Sequence, residues 1–346
     1  MTKIKFGTSI ILDPDWGGVH AASESARQLE HWGYDCLWGT DERFGRNIYA
    51  VLTLAALKTK CVKLGTSVTN PYTRHPLITA AAIATINEIS DGRAILGLGA
   101  GASTLFERQV MPRPHPPLTA IREAIEVMRP FLNGRKISLD GKSMKFRDVN
   151  IDFESRAIPI YIAARGPKLL QLAGEIADGV IIGSLASEKG LNFALHNIQI
   201  GAEREGRDIS ELDIVFWAYT AISDDEDVAL NLVKRIVVSS MWSSKDIIQE
   251  LGIDEEKWKP IEEKLRDGFR RGIEPAKAYD AAHEMLPEEV FEAWSVSGTS
   301  KKVEKKVKMI INKGIDQFAL LPMGETSNEI RAMQKIFAEK IITKLR

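Results

Sequence analysis

The chain has 346 residues, 44% hydrophobic and 27% charged, enough to bury one large core or two ordinary ones. A formal net charge of −1 gives no long-range pull toward nucleic acid, and no apolar run approaches the ~20 residues that span a bilayer. The first residues, "MTKIKFGTSIIL", lack the apolar stretch and small-residue cleavage site of a secretion signal, so a cytoplasmic location is expected.

In chain order, short β-rich runs alternate with amphipathic helical segments, the pattern of parallel strands joined by crossover helices. "IKFGTSI" precedes a helix from about Val19 to Trp32, and "YDCLWGT" precedes one from about Ile48 to Lys58. "VKLGTSV" precedes a helix opening at Pro76, where a missing N–H costs nothing, and stopping at "SDG", where Gly92 can turn left-handed. "RAILGLGAG", "IPIYIAARG", "DGVIIGSL", "LDIVFWAYTAI" and "GIDQFALLP" follow, nearly continuous apolar runs of the kind that parallel strands show when covered on both faces.

Eight such units predict an α/β fold, a single-domain (β/α)₈ barrel over residues 1–346. Two stretches exceed that plan: about 100–157, with the Pro-rich "MPRPHPP" and a hairpin-like "LDGKSMKF", and about 239–297, helical and rich in charge and Trp. They read as insertions after strands 4 and 7, shaping the barrel mouth. Cys36 and Cys61 fall in apolar strand patterns and read as small core residues in a reducing compartment; the basic run Lys301 to Lys308 reads as a solvated helix face.

A barrel of this kind carries its chemistry where the strands end. Of the histidines only His75 falls near a strand end, so convergent metal ligation is not expected, and no strand ends in a lysine suited to Schiff-base chemistry. "AARGPKLLQLAG" places Ala164, Arg165, Gly166 and Pro167 at a helix start, where free N–H groups attract phosphate and Arg165 can add charge. Gly-Pro is equally good helix-start chemistry, and "GLGAGAS" (Gly99, Ala100, Gly101, Ala102) fits a tight turn nearly as well as a ligand cradle. The residues alone leave both readings open.

Taken together, "LGTSVTNPYTRHPL", "TDERFGRN", "LGLGAGAS", "AARGPKLLQLAGEIADGVIIG" and "VSGTSKKVEKKVKMIINKGIDQFALLP" resemble the bacterial-luciferase-like superfamily. Within it the chain is most similar to the coenzyme F420-dependent oxidoreductases, the methylenetetrahydromethanopterin reductase family above all. The resemblance implies a hydride transfer between the deazaflavin and an organic small-molecule substrate, possible substrates including methylenetetrahydromethanopterin and related compounds. It also implies a homo-oligomer, a dimer or higher.

It further implies a bulge after the third strand with a cis peptide at Ser67–Val68 against the ring, Thr69 and Asn70 toward the ring edge, and the phosphate end near Gly99 to Ala102 and Arg165 to Pro167. Gly183, at the end of the sixth strand, joins that set. Asp41 matches a carboxylate near the pyrimidine end, and Glu42 stands where many members carry a proton-handling His; these two are the catalytic candidates. Trp217, Tyr219 and Trp242 are candidate pocket walls. Ser9 departs from the reductase pattern, which has Glu there, so the pterin substrate stays open. The alternatives are an FMN-dependent monooxygenase and a non-catalytic flavin-binding protein on the same barrel.

Overall fold

The computed structural model describes residues 3–11, 18–41, 45–101, 115–251 and 253–346, the Asp246 side chain aside. In chain order the elements are β1 (Lys5–Ser9), α1 (Gly18–His31), β2 (Cys36–Gly39), α2 (Ile48–Lys58), β3 (Lys63–Thr66), α3 (Pro76–Ile89) and β4 (Ala94–Leu98). Next come α4 (Pro117–Leu132), the antiparallel hairpin β5 (Ile137–Asp140) and β6 (Lys145–Val149), β7 (Ile160–Ala164), α5 (Pro167–Ile176), β8 (Gly179–Gly183) and α6 (Glu188–Arg204). The chain then runs through β9 (Asp213–Ile222), α7 (Glu226–Trp242), α8 (Glu255–Arg270), α9 (Pro275–His283), α10 (Glu288–Trp294), β10 (Val296–Gly298), α11 (Ser300–Ile311), β11 (Gln317–Pro322) and α12 (Ser327–Phe337).

The strands pair in parallel in the order β9-β11-β1-β2-β3-β4-β7-β8, and β8 pairs back onto β9, so the barrel closes. All eight expected strand runs are in it. The expected insertions follow β4 (α4 and the hairpin) and β9 (the end of α7 through α10). One strand goes beyond the expectation: β10, three residues long, pairs with the far end of β9, Val296 opposite Thr220.

Between barrel and helices, Phe318 stacks on Phe337 of α12 at 5.7 Å, and Phe6 meets the same ring edge-on at 6.1 Å. Inside the barrel, Cys36, Trp38, Ile95, Tyr161, Ile181, Val215, Trp217 and Ala319 form a second, separate core. Trp38 fits because its neighbours on β1 and β3 lack side chains: a Cβ on Gly65 would lie 2.4 Å from its ring, and one on Gly7 2.8 Å from its Nε1. That Nε1 donates to Gln317 Oε1 at 2.8 Å, which satisfies the indole in an otherwise apolar lumen.

At the base of the barrel a local device repeats. Asp35, Asp178 and Asp316 each precede a strand, and each carboxylate accepts the N–H of a residue at the start of the neighbouring strand: Phe6 at 2.7 Å, Ile160 at 2.8 Å and Ile214 at 2.8 Å. These bonds occupy donors that a strand start would otherwise leave unpaired.

Two sequence expectations are corrected. Cys36 is buried in the lumen, but Cys61 is exposed, in the turn before β3, with its N–H donating to Glu30 Oε1 at 2.7 Å. The apolar run it seemed to open begins one residue later. The basic run on α11 is also more than a solvated face, since Lys302 bridges Glu226 and Glu292 at 2.8 Å each and Lys306 donates to the Glu292 carbonyl. Burial pushes the Lys306 ammonium down to about 8. Among the described residues no helix is long and apolar enough to cross a membrane.

Candidate active site

The β3 end is built as a bulge. Leu64 and Gly65 pair with Ala94 and Ile95, and pairing resumes at Thr69 opposite Leu98, so β3 carries one residue more than β4 over this span. Where the ladder opens, the Thr66 hydroxyl replaces a backbone partner, donating to Gly97 O at 2.8 Å and accepting from Gly97 N at 2.9 Å. Thr69 N–H then donates to Gly97 O at 3.0 Å, and Gly99 N–H to Thr69 O at 2.9 Å. The Ser67–Val68 peptide is cis, as the resemblance implies. Ser67 Oγ is buried with no hydrogen-bond partner among the described residues.

Beside the bulge sits a charged pair that no sequence spacing announced. Asp41, just past β2, accepts from Arg74 Nη1 at 2.6 Å and from the Thr69 hydroxyl at 2.8 Å, both on Oδ2, with Arg74 Nη2 at 3.4 Å from Oδ1. The Arg74 guanidinium lies 4.8 Å above the centre of the Tyr49 ring on α2. Burial opposes the charge on Arg74, but Asp41 more than offsets it and raises the affinity of the guanidinium for its proton. Thr69 is therefore hydrogen-bonded within the protein, and so is the Asn70 side-chain oxygen, which accepts from Tyr72 N–H at 2.9 Å and Thr73 N–H at 3.0 Å. Glu42 and Ala102, two of the sequence candidates, lie outside the described residues.

The rest of the rim is open by virtue of its glycines. A Cβ on Gly99 would stand 2.6 Å from Val68 Cγ2, and Gly101, next to Ala100, has φ +70. At the start of α5, Gly166 is the residue before Pro167, no side chain among the described residues caps the helix, and a Cβ on Gly166 would meet nothing within 4 Å. The helix start thus offers N–H groups to an anion.

Arg165 also has partners within the protein. It lies over Gly183, its Nε 3.0 Å from where a Cβ there would be, and its Nη1 donates to Ser240 O at 3.1 Å and Ser244 Oγ at 3.3 Å. It braces the end of α7 against the barrel, and Tyr219 does the same through a 2.5 Å hydroxyl contact with Ser240.

Val68, Ala163 and Leu321 pack on the lumen core while remaining partly exposed, so with Trp217 they make an apolar floor beneath the mouth. Trp242 meets Phe269 edge-on at 5.3 Å within the helical insertion. The floor suits a flat aromatic group, the side-chain-free rim admits its edge, the Ser67 hydroxyl, without a partner among the described residues, can take a hydrogen bond from it or give one, and the α5 start suits an anionic tail. A flavin-like cofactor fits these residues. Among the described residues no group of three or more His, Cys, Asp or Glu is placed to hold a metal.

The sequence pattern of the luciferase-like monooxygenases matches residues 5–317. Over 346 residues the chain is 36% identical to the 5,10-methylenetetrahydromethanopterin reductase of Archaeoglobus fulgidus, covering 99% of this chain and 100% of that protein. It is 34% identical over 330 residues to the enzyme of the same name from Methanolobus tindarius, covering 92% and 94%. The solved structure of the coenzyme F420-dependent tetrahydromethanopterin reductase of Methanopyrus kandleri superposes with a TM-score of 0.84 at 30% identity, each chain covered in full.

Proposed function

This chain belongs to the luciferase-like monooxygenase family, and from that membership we propose that it is a coenzyme F420-dependent oxidoreductase acting on a reduced one-carbon pterin such as methylenetetrahydromethanopterin. The observation that carries the reading is similarity along the whole chain, barrel and both insertions alike, to enzymes of that activity.

When bound, the reduced deazaflavin supplies a hydride, and the organic acceptor takes the hydride and a proton. The protein's share is positional. The bulge at Ser67, Val68 and Thr69 backs the ring, and Asn70 offers its amide NH₂ at the edge. Gly99 to Gly101 let the ring approach, while the α5 start at Gly166 and Pro167 takes the anionic end. Ala164, Arg165 and Gly183 shape the wall below that end. Trp217 and Leu321 form the apolar floor that keeps water from the reacting face. Glu42 is our candidate for delivering the proton.

We place the enzyme in the reducing cytoplasm and infer that it forms a homo-oligomer through α2 and α3. Both helices are apolar nearly all round, and their outward residues Leu57 and Ile78 are 68% and 61% exposed. A helix that is apolar on every face is normally covered, and a second copy of the same surface would cover this one.

Titrating the protein with oxidised F420 and, separately, with FMN while recording the visible spectrum tests the cofactor. Anaerobic turnover of reduced F420 with methylenetetrahydromethanopterin tests the substrate. Tight FMN binding with no response to the deazaflavin would overturn the reading in favour of a monooxygenase.

A further inference from the structure

The Asp41 side chain is only 6% exposed, and a lone carboxylate so placed would lose most of its hydration. Arg74, 28% exposed, offsets that loss directly. The guanidinium is in turn fixed from below by the Tyr49 face, so one side chain joins the segment after β2, the loop after β3 and helix α2. The shared oxygen Oδ2 also receives Thr69, the residue at which β3 rejoins β4 after its bulge.

With Oδ2 holding two donors and Oδ1 facing the second guanidinium nitrogen, Asp41 anchors its neighbours. Tyr49 contributes its ring face to the guanidinium.

We propose that Arg74 is a positioning residue of the cofactor site: paired with Asp41 and braced on Tyr49, it fixes Thr69 and thereby the shape of the bulge that receives the ring. This rests on the deazaflavin reading above. Arg74 touches no reacting atom in this account, and its loss loosens the bulge rather than removing a step. Lysine in its place keeps the charge but neither the paired contact nor the flat stacking on Tyr49.

The test is a set of fluorescence titrations with oxidised F420 on the wild type, Arg74→Met, Arg74→Lys, Asp41→Asn and the Asp41→Asn/Arg74→Met double variant, with melting temperatures measured in parallel. Arg74→Met and Asp41→Asn should each weaken binding about tenfold or more, and the double variant hardly beyond either single one, because both remove the same pair. Arg74→Lys should recover only part of the loss. Wild-type affinity in folded Arg74→Met, or losses that add in the double variant, would overturn the proposal. A lower melting temperature with unaltered affinity would show a purely structural pair and would overturn it too.

If Arg74→Met does not fold, Thr69→Val removes only the hydroxyl link and should weaken binding about threefold or more. Unchanged affinity there overturns the proposal. Failure of the wild type itself to bind F420 would instead overturn the functional reading, and this inference with it.

Discussion

A Cβ on Gly97 would stand 2.0 Å from the carbonyl oxygen of Thr66, backbone against backbone, at the point where β3 leaves the ladder. No rotamer change relieves such a contact. Gly97→Ala should therefore lower stability by about 3 kcal/mol and abolish saturable cofactor binding, read by denaturant melts and visible titration. An alanine variant of wild-type stability would mean that the bulge is not held by the Thr66–Gly97 exchange.

Two other glycines separate fold from ligand. Gly99→Ala must displace Val68 Cγ2, 2.6 Å from the new methyl, whereas Gly166→Ala meets nothing within 4 Å. Gly166→Ala should stay within about 0.5 kcal/mol of wild type. If the anionic end of the cofactor seats at the α5 start, the same variant weakens binding in a phosphate-competition titration, and Gly99→Ala weakens ring binding with a modest loss of stability.

Tyr219 on β9 ties down α7 through its hydroxyl contact with Ser240. Tyr219→Phe leaves the buried serine hydroxyl without its partner and should cost about 1–3 kcal/mol. If α7 borders the substrate side of the mouth, the kinetic effect should appear in KM for the organic substrate more than in cofactor affinity. Steady-state kinetics at saturating cofactor check this.

Acid sensitivity should trace in part to Glu175. Burial alone would raise its carboxyl, but Arg122 and Arg204 more than offset this and hold it below the ordinary value. A carboxyl lowered in the fold stabilises fully above its unfolded value, about 4.3, and loses that contribution as the pH falls through the folded value. Glu175→Gln should thus melt lower than wild type at neutral pH and converge with it in acid. A gap that persists at about pH 2 would contradict the assignment.

Charge placed on the outer faces of α2 and α3 should break the proposed assembly. Leu57→Glu with Ile78→Glu, both at exposed positions, should leave the fold intact and reduce the mass measured by light scattering to that of one chain. A monomeric wild type would remove the basis for that face.

The barrel was legible because each strand is an apolar run bounded by turn residues, and the two insertions because they break that rhythm. Pro76 and Gly92 marked the ends of α3 for the same local reasons, and the structure places both as expected, Gly92 at φ +85. β10 was not legible, since three residues carry no period and its partner is far along the chain. Arg74 was missed because its pairing with Asp41 spans 33 residues and depends on the barrel bringing two strand ends together. The partners of Arg165 and Trp242 were not legible for a related reason: composition shows what a side chain can bind, while the insertion after β9 decides which protein groups reach it.

The aspartate fastenings of Asp35, Asp178 and Asp316 lie at the foot of the strands, a full strand away from the mouth. These fastenings consequently take no part in the chemistry at the mouth. A lineage can rewrite its rim to suit a new reactant while the hoops that keep the staves together stay untouched, which makes this scaffold well suited to grafting one enzyme's loops onto another's frame.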